Sequence, residues 1–290
     1  MGVFDARAAT LAKSGGRQID SADVIALLRE VYAEGIGTRE EAEELIAFDQ
    51  SLADPTPGWV EFFAETIADH VIRHQASSRV VDGEKTAWLI AALGKGRHAV
   101  SAGGFAAVLR LIELAHDITP TLAAYAIRQV RSAVLAGRRP ASMTRLFFNR
   151  TIDAETAMLL RRIVLGCAGQ SARPVSRAEA EALFDLHDLT ASSTNDADFE
   201  DFFYKAVVHH LIAETGEAVP ARKEALARGV DFPVGLPRIA SLGPDQTAWL
   251  ASQIMRDGRP TAAEFRLLEF FTDNGRSADP ALRQFMTQAA

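Results

Sequence analysis

The sequence of 290 residues predicts an all-α protein. Apolar residues recur at helical spacing along most of the chain, as they do from Val24 to Tyr32 and again from Trp59 to Val71. Alternation with a period of two, which would indicate half-buried strands, is scarce. Four segments also share one pattern of helix, short glycine-containing loop and helix. Together these observations predict a bundle assembled from repeated helix-loop-helix units.

The four repeated units are each followed by a third, mostly apolar helix. They are unit A from Ile19 to Asp49, unit B from Val81 to Asp117, unit C from Ile152 to Asp188 and unit D from Leu242 to Asp273. Units A and C share an EAE triplet, at residues 41–43 and 179–181. Units B and D share the tetrapeptide TAWL, at residues 86–89 and 247–250. The order A-B-C-D is therefore interpreted as a tandem duplication of A-B.

The duplication predicts two halves, residues 1–136 and 151–290, joined by an arginine-rich junction at 137–150. The second half carries an insertion at 213–241 that the first half lacks. Such an insertion is either surface decoration or a functional lid, and decoration is the simpler interpretation. The arginines in and near the junction suit a seam that pairs acidic surfaces, with a phosphate-binding patch as the alternative. They are Arg128, Arg131, Arg138, Arg139, Arg145 and Arg150.

Composition narrows the classes of partner and compartment. The net charge of −7 gives no overall basic surface for nucleic acid, so a nucleic-acid partner is not expected. The one cysteine, Cys167, fits a reducing compartment and reads as a buried, inert thiol. No apolar stretch reaches the roughly 18 residues of a membrane span, and the first residues do not resemble a secretory signal. We therefore expect a cytoplasmic protein.

Capping boxes mark the start of the second helix in three of the units. They are Thr38-x-x-Glu41 in unit A, Ser176-x-x-Glu179 in unit C and Thr261-x-x-Glu264 in unit D. In a capping box the hydroxyl accepts a hydrogen bond from a backbone N–H group of the first turn, and the glutamate bonds back to the cap residue. Unit B has Ser101 but Gly104, so its box is incomplete.

Units A and D also place an acidic-glycine pair shortly before the box, at 34–35 and 257–258. This arrangement resembles the back half of an EF-hand loop and the helical tellurite-resistance TerB-like family. The resemblance implies helix-loop-helix modules that bind a divalent cation such as calcium or magnesium. Carried over residue by residue, it implies two metal sets, which are Glu30, Glu34 and Glu41 in unit A and Asp257 and Glu264 in unit D.

The front half of the calcium loop is missing from both sets. A calcium site gathers six to eight oxygen ligands, and unit D has Gln253 and Met255 where the first acidic ligands would stand. The alternative interpretation is that these loops keep their backbone geometry without a cation. The glycine then serves the turn and the glutamate serves the cap.

Three further residues, His70, His210 and Asp188, are candidates for a functional role. His70 and His210 occupy matching places on apolar stripes, which favours hydrogen-bonded structural histidines with a carboxylate such as Asp49 or Asp188 nearby. The alternative is a pair of metal-binding or proton-responsive sites. The segment from His187 to His210 is rich in Asp, Asn and Glu, which favours a helix start at Asn195 or Asp196 over a ligand set.

The sequence contains no nucleophile elbow, P-loop, dinucleotide-binding or HExxH motif. The leading hypothesis is therefore a non-enzymatic protein-binding or scaffold protein, with a partner groove expected at the phenylalanine-rich helices and the insertion. The alternative is a divalent-metal-binding stress or signalling protein. A third hypothesis is a metal-dependent hydrolase with ligands from the His187–His210 region. The sequence leaves the partner and the oligomeric state open.

Overall fold

The computed structural model describes residues 35–73, 79–94, 100–138, 150–166, 173–229, 242–256, 260–273 and 280. The described residues form eleven helices and two strands of two residues each, which confirms the predicted all-α class. The chain divides into two compact units, Met1–Ser132 and Ala133–Ala290. Several predicted sites lie outside the described residues, namely Glu30, Glu34, Cys167, Asp257, Arg139 and Arg145.

The first unit contains five described helices. They are α1 (Arg39–Ser51), α2 (Pro57–Arg73), α3 (Gly83–Leu93), α4 (Ala102–Leu114) and α5 (Pro120–Leu135), and the last of these runs past the division between the units. The strands β1 (Val80–Val81) and β2 (Asp117–Ile118) pair in parallel, Val80 opposite Asp117. Helix α2 packs chiefly on α4.

The second unit contains six described helices. They are α6 (Ala154–Gly166), α7 (Arg177–Thr190), α8 (Ala197–Glu214), α9 (Arg222–Ala225), α10 (Pro244–Ile254) and α11 (Ala262–Asp273). Helix α8 is the centre of the unit and packs on α11, α7 and α6. None of the described helices in either unit combines the length and the apolar character needed to cross a bilayer.

The phenylalanine-rich helices form the core of each unit. In α2, Phe62 and Phe63 are buried, and in α8 both Phe202 and Phe203 are buried completely. Burial of one phenylalanine side chain contributes about 1.5–3 kcal/mol, so these helices are fixed by their aromatic faces. Their own units cover these four side chains, so the predicted partner groove on these helices would have to use other residues.

The predicted capping boxes are confirmed at the starts of α1, α7 and α11. Thr38 and Glu41 form both reciprocal hydrogen bonds, as do Ser176 and Glu179. At α11, Glu264 Oε2 accepts from the Thr261 N–H group at 2.7 Å, and the Glu264 N–H group donates to the Thr261 hydroxyl at 3.3 Å. Helix α4 starts with Ser101 alone, whose hydroxyl accepts from the Gly104 N–H group.

The described part of the insertion is joined to the core of its unit. Arg222, 3% exposed, forms a two-pronged ion pair with the buried carboxylate of Glu179 and donates to the carbonyl of Val164. Leu226 is fully buried, and the guanidinium of Arg161 donates to its carbonyl. The described part of the insertion is therefore packed on its unit through Arg222 and Leu226, and 230–241 lie outside the described residues. Decoration and lid both stay as the alternatives for its role.

We predict that Arg222→Leu lowers the free energy of unfolding by about 3–5 kcal/mol, because it leaves the Glu179 carboxylate buried without its cation. Equilibrium urea unfolding of the full chain measures the change. The matched control is Lys223→Leu, which removes the exposed cation next along α9 and should change the unfolding free energy by less than about 0.5 kcal/mol. Equal effects of the two variants would contradict the stabilising role of the Arg222–Glu179 pair.

Candidate functional site

Three potential metal ligands meet where the end of α7 lies beside the start of α11. His187 and Asp188 are adjacent on the last turns of α7, and Glu264 is the third residue of α11. One ligand atom from each of the three side chains lies within 4.8 Å of the other two. His187 is 2% exposed and Glu264 is fully buried. The group is therefore a buried cluster and not a patch of surface acids.

The His187 ring is held by a stack and by one hydrogen bond. It lies parallel to the Phe203 ring, with centroids 4.2 Å apart. Its Nε2 atom lies 3.2 Å from Oε2 of Glu200, and Asn195 donates to the other oxygen of Glu200 at 2.9 Å. Burial acts to raise the pKa of Glu200, but the hydrogen bonds from His187 and Asn195 outweigh it and lower the pKa. The ionised carboxylate can only accept, so Nε2 carries the proton.

The other ring nitrogen of His187, Nδ1, takes no part in this hydrogen bond. Nδ1 is buried and has no hydrogen-bond partner among the described residues. A histidine whose N–H group is held by a carboxylate while its other nitrogen is open matches the second-shell arrangement of metal-ligating histidines.

Only one of the two carboxylate oxygens of Glu264 has a hydrogen-bond partner among the described residues. Its Oε2 atom serves the capping box with Thr261, while Oε1 is buried without a hydrogen-bond partner in the described part of the chain. Burial raises the pKa of the Glu264 carboxyl more than the hydrogen bonds from Thr261 lower it. An unpaired buried carboxylate oxygen costs about 1–3 kcal/mol or more.

Asp188 joins the cluster from a half-buried position. Its Oδ2 atom accepts from Arg256 at 2.7 Å, and the same guanidinium donates to Asp185 at 2.6 Å. The Arg256 guanidinium, held by both aspartates, therefore fixes the orientation of the Asp188 carboxylate from the outer side of the cluster.

A cleft of about 370 Å³ opens beside the cluster, and the His187 ring forms part of its wall. Glu200 and Arg266 are the charged side chains that line the cleft with His187. Small side chains on the remaining wall leave room for a ligand, and they are Ala191, Ser193, Ala262 and Ala263.

The described residues of the two metal sets that the resemblance implies, Glu41 and Glu264, have different surroundings in the structure. Glu41 is exposed, and its Oε2 atom accepts from the N–H groups of Gly37 and Thr38, so it serves the cap of α1. The cation set that includes Glu41 stays a prediction. Gly35 has a φ of +82°, a left-handed conformation that glycine adopts without strain. Glu264 joins His187 and Asp188, and its predicted partner Asp257 lies outside the described residues.

His70 and His210 bond to backbone carbonyls that lie just before the capping boxes. Nδ1 of His70 lies 3.1 Å from the Ile36 carbonyl, and Nδ1 of His210 lies 3.0 Å from the Val175 carbonyl. The carboxylates that the sequence suggested as partners have other roles. Asp49 accepts from the Trp59 ring N–H group at 2.8 Å and from the Ser101 hydroxyl, and Asp188 belongs to the cluster.

A tryptophan completes the surroundings of both histidines. The ring centroids of Trp88 and His70 are 5.7 Å apart, and the Trp88 ring N–H group donates to Glu43. The ring centroids of Trp249 and His210 are 5.1 Å apart, and the Trp249 ring N–H group donates to Glu181. An arginine lies over each indole ring, Arg39 over the first and Arg177 over the second. The two histidines thus occupy the same kind of packed, hydrogen-bonded setting, one in each unit.

The ligand-dense segment from His187 to His210 separates into structural and cluster residues. Asp196 caps α8 by accepting from the Asp198 N–H group, which confirms the predicted helix start. His209 accepts from the Val175 N–H group at 3.2 Å, so it too is held by backbone. From this segment the structure adds only His187 to Asp188 and Glu264. The signal for His187 was its place on the apolar stripe of α7 immediately before an aspartate.

Comparison of the chain with protein-family models, with curated proteins and with solved structures gives no match. The resemblance to TerB-like and EF-hand-like modules therefore stays a prediction, and the function has to be argued from the cluster itself.

The setting of His210 predicts a pH dependence of stability. Burial lowers the pKa of His210 below 6.5, more than Glu214 and the Val175 carbonyl raise it. The unfolded chain therefore takes up a proton below about pH 6.5 that the folded chain does not bind, and stability falls as the pH falls. His210→Gln removes this loss, so the stability difference between wild type and variant should shrink by up to about 1 kcal/mol from pH 7.5 to 5.5. Urea unfolding at each pH measures it.

The difference should stay constant between pH 7.5 and 8.5, where His210 is neutral in both states, and this range is the internal control. A difference that grows on acidification would contradict the inferred neutral form.

Proposed function

We propose that this protein binds one divalent transition-metal ion through His187 Nδ1, Asp188 and Glu264 Oε1. The observation that carries the proposal is the pair of buried ligand atoms without hydrogen-bond partners, on His187 and Glu264, in one cluster with a third donor. Protein ligands lie about 2.0–2.2 Å from a zinc ion. Donor atoms within 4.8 Å of one another reach that geometry through shifts of less than about an ångström.

The donor set favours a transition metal over the calcium or magnesium that the EF-hand resemblance implies. Calcium and magnesium select oxygen ligands, six or more in the case of calcium. One imidazole nitrogen and two carboxylates instead suit zinc, iron or manganese, which bind sites that mix imidazole and carboxylate ligands. The Glu200 carboxylate on the far nitrogen of His187 supports this choice, because it fixes the tautomer that binds.

The proposal includes the tandem duplication of units A-B. The matching settings of His70 and His210 support it. Counted from the capping residues, the first unit has different residues in the places of the cluster. Asp49 stands eight residues after Glu41, as His187 stands eight residues after Glu179. Gln50 then takes the place of Asp188, and Gly104 the place of Glu264, each counted from its own helix. The first unit therefore lacks the cluster, and we expect one ion in each chain.

The scaffold function stays a prediction, since nothing in the described residues identifies a protein partner. A groove of about 310 Å³ in the first unit, lined in part by Glu43 and Trp88, is the described surface that such a partner could use. The metal hypothesis is preferred because its ligands are already gathered and oriented.

We expect chelator-treated protein to bind one equivalent of zinc or manganese. Binding to the folded chain alone stabilises it by RT ln(1 + [L]/Kd), about 2.7 kcal/mol at a hundredfold excess over Kd. The melting temperature should therefore rise by roughly 5–10 °C. Calorimetry with and without the metal measures the rise, and elemental analysis measures the stoichiometry.

Glu264→Gln and His187→Gln should each abolish the rise. The matched controls are Glu41→Gln, which alters a capping-box glutamate outside the cluster, and His209→Gln, which alters a buried histidine held by backbone. Both controls should keep the metal-dependent rise whatever their own stability. A rise that survives Glu264→Gln, or that disappears in Glu41→Gln, would refute the assignment of the site.

A further inference from the structure

We propose that the cleft beside the cluster binds a small zwitterion of the amino-acid class, with Arg266 on its carboxylate and Glu200 on its ammonium group. The inference is separate from the proposed metal site. Neither Asp188 nor Glu264 is among the described residues that line the cleft, and His187 meets it beside its bond to Glu200. The argument depends on two opposite charges that line one cleft and do not pair with each other.

Glu200 supplies a fixed negative charge to the cleft. Its two oxygens accept from His187 and Asn195, at 3.2 and 2.9 Å. Burial opposes ionisation of Glu200, but these hydrogen bonds outweigh it and lower the pKa of the carboxyl. The side chain is still 35% exposed, and each carboxylate oxygen can accept a second hydrogen bond. Glu200 is therefore ionised, oriented and able to accept from the ammonium group of a ligand.

Arg266 supplies the positive charge. Its guanidinium carbon lies 3.9 Å from the centroid of the Tyr204 ring, and this stack holds the plane of the group. The closest carboxylate oxygen among the described residues is Oδ1 of Asp201, at 3.9 Å, which is beyond hydrogen-bond distance. Lys205 binds the other oxygen of that aspartate at 2.6 Å. A stacked guanidinium with unused N–H donors is suited to binding a carboxylate through two parallel hydrogen bonds.

The two charges share the cleft without neutralising each other. Tyr204 follows Glu200 by one turn of α8, about 5–6 Å between their Cβ atoms, so the stack on Tyr204 holds Arg266 in the same region. The carboxylate and guanidinium are nevertheless not an ion pair, since Glu200 pairs with His187 and Arg266 lies nearest to Asp201. A molecule with both charges compensates both side chains at once, which a single ion does not.

The rest of the cleft limits the size of the ligand. Its volume is about 370 Å³, which falls within the roughly 300–1,000 Å³ of small-molecule sites. Ala191, Ala262 and Ala263 line it beside the two charged residues, so a short apolar substituent gains contact there. The ligand chemistry that fits is therefore that of an amino acid with a small aliphatic side chain.

The test measures the binding of three probes to the chelator-treated full chain by isothermal titration calorimetry. L-Valine carries both charges, isovalerate lacks the ammonium group, and isobutylamine lacks the carboxylate. We expect each single-charge probe to bind at least about tenfold more weakly than L-valine, because each loses one charge-assisted contact. Since no metal is added, the result does not depend on the proposed metal site.

Two variants assign the charges to the two ends of the ligand. The advantage of L-valine over isobutylamine should fall below about twofold in Arg266→Gln, and its advantage over isovalerate should do the same in Glu200→Gln. The ratio is the readout for Glu200→Gln, because this variant also changes a partner of His187. The matched control is Arg177→Gln, a half-exposed arginine stacked on the Trp249 ring of the same unit, which should leave both ratios unchanged.

L-Valine that fails to bind, or that binds no more tightly than either single-charge probe, would overturn this inference and leave the metal site standing. Ratios that stay at their wild-type values in Arg266→Gln or Glu200→Gln would overturn it as well. Failure of the chelator-treated protein to take up zinc or manganese would instead overturn the metal site alone.

Discussion

Carboxylates at helix starts are the constraint on which much of this structure depends. A helix that begins inside a packed unit brings N–H groups that need acceptors, and α1, α7 and α11 obtain one from a capping glutamate. Once such a helix start is buried, the glutamate is buried with it, and its charge then needs a partner. The placing of α9 and the composition of the cluster both follow from that need.

The two units satisfy their helix starts in different ways. Around Glu179, the chain after α8 turns back so that Arg222 reaches the carboxylate, which ties residues 213–229 to the core. In the first unit, the start of α4 has no glutamate, and Asp49 reaches across from α1 to bond the cap hydroxyl of Ser101. Burial raises the pKa of Asp49, and the hydrogen bonds from Ser101 and Trp59 oppose that rise only in part. The starts of α7 and α4 are thus satisfied by residues at different distances along the sequence.

The features that the sequence predicted correctly are those set by residues close together in the chain. The all-α class and the three capping boxes depend on residues within a few positions of one another, and a periodic pattern specifies them. The cluster was not predictable in the same way, because it depends on which part of α7 the start of α11 meets. The EF-hand resemblance grouped Glu264 with Asp257, seven residues away, whereas packing brings it to His187. The carbonyl partners of His70 and His210 were not predictable for the same reason, since Ile36 and Val175 contribute backbone groups that carry no residue-specific signal. His210 also has a carboxylate nearby, with Glu214 Oε1 3.6 Å from its Nε2 atom.

The three capping glutamates, compared with one another, give the strongest reason to place a cation in the cluster. Glu41 is exposed, and water screens its charge. Glu179 is buried, and the guanidinium of Arg222 neutralises it. Glu264 is buried as deeply, and no described lysine or arginine pairs with it. Its ionisable neighbours are His187, which lowers the pKa of Glu264, and Asp188, which raises it. A divalent ion at the proposed site would give Glu264 what Arg222 gives Glu179. Because the cap itself works with an exposed glutamate in α1, capping alone does not explain why Glu264 is buried beside Asp188, and the proposed cation would account for it.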